Sequence, residues 1–69
     1  MNPYVKLDIA EEILNAMIGH YGSIGYDTNN KALMQLMEDK KQLSQNDPAT
    51  IEKLFNVYAP MVRTENYTL

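Results

Sequence analysis

The chain has 69 residues, no cysteine and a formal net charge of −3. That length allows one domain at most, and no disulfide or thiolate–metal site can brace it. The acidic balance argues against a phosphate-backbone binder, which needs a basic patch.

A hydrophobic fraction of 45% is ordinary for a folded domain. Domains of this size rarely gain more than ~3–5 kcal/mol from one core, so stability must come from helix packing and oligomerisation. No apolar run approaches the ~18 residues of a membrane span. Met1 to Lys6 lacks a charged-then-apolar leader pattern, so the expected location is cytoplasmic.

Helix 1 is predicted at about Asp8 to Tyr21, with Pro3 as an alternative start. Asp8 and Glu11 have capping-box spacing. Ile9, Ile13, Leu14, Met17, Ile18 and Tyr21 recur at helical steps. Glu11 and Glu12 then fall in the first turn, at the positive end of the helix dipole. Gly22 reads as the left-handed residue that closes the helix. Gly-Ser-Ile-Gly, residues 22–25, lacks the preceding strand and the Lys-Ser/Thr of a phosphate loop. Asp27-Thr28-Asn29-Asn30 lacks the glycine and distal glutamate of a calcium loop, and reads as a cap cluster for helix 2.

Helix 2 is predicted from about residue 30 to 43. Leu33, Leu36, Met37 and Leu43 form its stripe, with Ala32 and Met34 flanking. The stripe is interrupted at Lys40, and Glu38 to Lys41 reads as a solvated face. Helix 3 is predicted over about residues 48–62. Asp47 is its cap and Pro48 its first residue. Ile51, Leu54, Phe55, Tyr58, Met61 and Val62 line one face. Pro60 removes a hydrogen bond to the Asn56 carbonyl, so the helix ends near Ala59 or kinks and runs on to Arg63. Thr64 to Leu69 has no periodicity and is expected to fray. The expected fold is an all-α, three-helix antiparallel bundle, with helices 1 and 3 packed on each other and helix 2 bridging them.

No catalytic, cofactor or metal constellation is expected. His20 is the single histidine, with Ser23 three positions on, and reads as a charge–dipole contact at a helix end. Glu11–Glu12 and Glu38–Asp39 are adjacent pairs, and read as surface charges. Five Met and five Tyr stand out. Met-rich faces suit adaptable binding, although filling a small core is the simpler use. Tyr21, Tyr26 and Tyr58 read as core-edge residues with wet hydroxyls.

Four features resemble the YmgB/AriR family of small biofilm and acid-resistance regulators. They are Ile13-Leu14, Gly25, the Asn29-Asn30-Lys31 run and the Ile51 to Tyr58 rhythm, and the resemblance covers about two thirds of the chain. It implies a helical homodimer that acts by protein contact in signalling, without catalysis.

The expected function is therefore a small non-enzymatic regulatory protein that binds a protein partner. The alternative is a helix-turn-helix-like transcription regulator, supported by Lys31, Lys40 and Lys41; a structural module is a third possibility. A homodimer is expected through helix 1 or helix 3. The surplus apolar surface expected to take the partner is Ile24, Tyr26, Leu33 and Met34.

Overall fold

A computed structural model describes the backbone of residues 3–69 and the side chains of residues 4–25 and 31–69. The fold is all-α. Three helices follow one another as α1 (Pro3–Ile24), α2 (Tyr26–Ser44) and α3 (residues 48–64). The third is continuous but changes pitch. It is α-helical over Pro48–Lys53, π-helical over Leu54–Tyr58 and α-helical again over Ala59–Thr64. Among the described residues no helix is long and apolar enough to cross a membrane.

Helix α1 begins earlier and ends later than the sequence suggests. Pro3 opens it, at a position where the absent N–H is no loss. Asp8 is therefore an interior residue rather than a cap, and Glu11 and Glu12 lie beyond the first turn. Gly22 does not close the helix either. The break comes at Gly25, whose φ of 125° and ψ of 137° are closed to side chains with a Cβ. One glycine thus makes the whole α1–α2 connection, where the predicted helix bounds left residues 22–29 between the helices.

Helix α2 starts at Tyr26, ahead of the expected cap cluster. The side chains of Tyr26 and Asp27 to Asn30 lie outside the described residues. The α2–α3 turn is built by three successive devices. Asn46 takes a left-handed φ of 57°, tolerable for an asparagine. Its N–H reaches the Leu43 carbonyl at 2.9 Å, and that of Asp47 reaches Gln42 at 3.2 Å, which satisfies the last carbonyls of α2. Asp47 then caps α3, accepting from Thr50 N at 3.0 Å and Thr50 Oγ1 at 2.7 Å.

Pro60 explains the change of pitch in α3. Lacking an N–H, it cannot bond the Asn56 carbonyl, and its ring crowds that carbonyl. The turn before it is widened, so that Ala59 N–H bonds the Leu54 carbonyl. The helix then continues to Thr64. It closes on Glu65 at φ 54°, with Glu65 N–H on Val62 and Asn66 N–H on Met61. The tail does not fray but turns back onto α1. Tyr67 stacks on His20 with centroids 3.7 Å apart, and Leu69 N–H donates to the Tyr21 hydroxyl at 2.9 Å.

The core is a single cluster. Ala10, Leu14, Met17 and Tyr21 from α1 meet Leu33, Leu36 and Leu43 from α2 and Leu54 and Tyr58 from α3. Steps of three and four residues put each set on one face of its helix. Burying a side chain of the size of leucine contributes about 1.5–3 kcal/mol. Consecutive helices run antiparallel: α1 residues 11–15 lie beside α2 residues 40–44. Helices α1 and α3 are therefore parallel, as Lys6 over Phe55 and His20 on Tyr67 require. Met37 departs from the expected stripe and is 47% exposed.

Two predictions follow from this packing. Leu54→Ala should destabilise by about 2–5 kcal/mol, and Phe55→Ala by less, because Phe55 is only partly buried. Gly22→Ala should raise the thermal midpoint, since its Cβ would meet nothing within 4 Å, whereas Gly25→Ala should lower it. Thermal unfolding followed by circular dichroism reads both; equal effects at Gly22 and Gly25 would contradict the turn geometry.

Candidate functional site

A groove of about 730 Å³ lies between the first turns of α1 and the start of α3. Because these two helices are parallel, their N-terminal ends lie side by side. Tyr4, Lys6 and Leu7 form one wall. Asn46 and Pro48 from the turn, with Ile51, Glu52, Phe55 and Asn56 from α3, form the other. The lining is apolar at Leu7, Ile51 and Phe55, which are partly buried, and charged only at Lys6 and Glu52. The Lys6 ammonium lies 5.6 Å from the centroid of the Phe55 ring, a cation–π contact.

The widened turn of α3 supports this wall. Phe55 and Asn56 lie within it and face the groove, while Leu54 and Tyr58, also within it, are buried in the core. Beneath them a buried carboxylate ties α3 to α2. Asp39 is only 3% exposed. It accepts from the Tyr58 hydroxyl, from Lys53 Nζ at 2.5 Å and from Gln35 Nε2 at 3.1 Å. The Lys53 ammonium also lies 5.4 Å from the Tyr58 ring centroid. Burial, and then the hydrogen bond to Asp39, push the Tyr58 hydroxyl well above its ordinary pKa.

Asp39 corrects the reading of Glu38 to Lys41 as a solvated face. The α2 stripe passes through Asp39, three residues after Leu36 and four before Leu43, and not through Lys40. The Leu36–Asp39–Leu43 spacing was the available signal, with Lys53 and Tyr58 as partners five residues apart on another helix. Tyr58 is likewise a core residue with a bonded hydroxyl, not an edge residue with a wet one.

Of the residues expected to form a partner surface, Leu33 is placed in the core. Leu33 is 4% exposed and belongs to the core, so its side chain is removed from that surface. Its position, three residues before Leu36, puts it on the buried side of α2. Met34 is 65% exposed and Ile24 53% exposed, as a contact surface requires. The side chain of Tyr26 lies outside the described residues. Met34 and Met37 are three residues apart and so share the outward side of α2.

His20 sits in an aromatic cluster rather than beside a nucleophile. Tyr67 stacks on it, and Tyr21 meets it edge-on at 5.0 Å. Ser23 Oγ donates to the His20 backbone carbonyl at 2.8 Å, a local helix contact.

The raised Tyr58 pKa has a consequence for stability. The fold favours the neutral phenol, so its contribution is complete below the unfolded value of about 10 and declines as pH rises above it. Tyr58→Phe should cost about 1–3 kcal/mol at neutral pH, by leaving a buried carboxylate oxygen short of a donor. The gap between parent and variant should narrow above pH 10, as measured by urea unfolding; a constant gap would contradict the assignment.

No family model, curated protein or solved structure matches this chain.

Proposed function

We propose that this chain is a small, non-enzymatic, cytoplasmic regulatory protein that acts by binding another protein. The groove between α1 and α3 is the observation that carries this reading. A domain this small would ordinarily collapse such a space, since each uncovered apolar side chain forfeits stability. Here Ile51 and Phe55 are held at its wall by a helix whose pitch is set by Pro60. Widened helical turns of this kind occur frequently at functional sites. Apolar lining rimmed by two opposite charges is the composition of a protein interface, with a dry centre and a polar edge. The resemblance to YmgB/AriR regulators implies the same mode of action, by contact rather than catalysis.

Met34 and Met37 on the outward side of α2, and Ile24 at the end of α1, are exposed apolar side chains outside the groove. Substitutions separate them from the groove. Immobilised parent chain should retain a host protein that Phe55→Ser or Ile51→Ser releases, with helicity preserved. Met34→Ser and Ile24→Ser should leave retention unchanged. Loss of retention with the α2 variants but not with the groove variants would overturn the assignment to the groove.

A further inference from the structure

We infer that His20 and Tyr21 form a recognition shelf at the end of α1 for an extended segment of a partner protein, one that carries an aromatic residue two positions before a free backbone N–H. Residues 65–69 of the chain itself occupy that shelf here, as a strap that the partner's segment displaces. The shelf lies at the end of α1 remote from the groove and does not depend on it.

The strap shows what the shelf accepts. Tyr67 lays its ring flat on the His20 imidazole, with centroids 3.7 Å apart and planes 11° from parallel. The same ring stands at 87° to that of Tyr21, with centroids 6.0 Å apart. Two adjacent residues of α1 thus offer an incoming ring a stacked and a perpendicular neighbour, the two favoured aromatic arrangements. Two residues further on, Leu69 N–H donates to the Tyr21 hydroxyl at 2.9 Å. A helical segment would spend that N–H on its own ladder, so the shelf selects an extended one.

The strap is held lightly. All nine buried residues of the core come from α1, α2 and α3. Within the strap only Tyr67 is half-buried; Glu65, Asn66, Thr68 and Leu69 are exposed. Glu65 enters it at φ 54°, a left-handed conformation that is costly for a residue with a Cβ. A segment with so few buried contacts opens well below the free energy of global unfolding. Lifting it removes none of the core residues, but it uncovers the His20 and Tyr21 rings and the Met61 sulfur, to which the Thr68 hydroxyl donates at 3.9 Å. A partner's segment binds that lifted state alone, so its apparent affinity is reduced in proportion to the fraction of chains that are lifted.

His20 is the single histidine, so its ring protons report on the shelf without interference. In the full parent chain the stacked Tyr67 ring should hold them upfield of free imidazole in the proton NMR spectrum. Tyr67→Leu keeps an apolar contact with the core but no ring; it should return them toward the free position with helicity unchanged. The probe is a peptide of residues 64–69 with both ends blocked. Added to the Tyr67→Leu chain, it should restore the upfield shift. The same peptide with Tyr67→Ala, or with Leu69→Pro to remove the N–H, should bind about tenfold more weakly or worse. The parent should need at least about tenfold more peptide than the variant, because its own strap competes at an effective concentration on the order of millimolar. His20 protons at the free position in the parent, a peptide that leaves them unmoved, or a peptide that binds parent and variant alike would each overturn the inference. Unfolding of the Tyr67→Leu chain would make the strap part of the core and overturn it equally. None of these outcomes bears on the groove.

Discussion

The position of α3 depends on one buried carboxylate. Asp39 lies in the middle of an apolar stripe, and a charge there is tolerable only if it is paired and fully hydrogen-bonded. Lys53, Tyr58 and Gln35 meet that demand together. Two of the three come from α3, five residues apart. They must therefore both reach the same point on α2, which fixes the rotation and the axial register of α3. An apolar contact would tolerate sliding by a fraction of a turn; this network does not. Removal of any partner leaves part of a charge dry, so the network specifies an arrangement as much as it stabilises one.

The widened turn is compatible with that register and also shapes the surface. Pro60 removes a donor from α3, and the ladder before it opens so that Ala59 bonds Leu54. Within the turn, Leu54 and Tyr58 face inward and Phe55 and Asn56 line the groove. The same segment thus supplies a core contact, a hydroxyl for Asp39 and the aromatic wall of a surface concavity. The groove is coupled to the core through adjacent residues of one helix, so a change that rotates α3 would move both.

The ends of the helices are held by short-range chemistry that leaves little slack. A single glycine makes the first connection, and an asparagine followed by Asp-Pro makes the second. Glu65 takes a left-handed conformation, unfavourable for a residue with a Cβ, and in doing so directs the tail toward His20. The stack of Tyr67 on His20, with the Tyr21 hydroxyl on Leu69 N–H, adds contacts to α1 at the end remote from the groove. Lys6 over Phe55 draws the same two helices together at the other end.

Some of this was decided by the sequence itself. The all-α class, three helices and the start of α3 at Asp47-Pro48 follow from local rules: periodicity, a side-chain cap and a proline at the first position. So do the core positions Leu14, Met17, Leu36 and Leu54, because an apolar residue on a three-four spacing has one face to occupy. Where two local signals competed, only the folded backbone shows which one acts. Gly25 rather than Gly22 ends α1, since Gly25 is the one that takes a positive φ, and Pro3 rather than Asp8 begins it, in a first turn where a missing N–H costs nothing. The role of Asp39 was not local at all, since its partners lie 14 and 19 positions away and only folding brings their charges together. Leu33 and Met34 are neighbours in sequence, yet one is core and the other surface, according to where α1 and α3 happen to cover α2. The groove has the same origin. Tyr4, Lys6 and Phe55 carry no joint pattern along the chain, and they meet because two helices separated by a third run in the same direction.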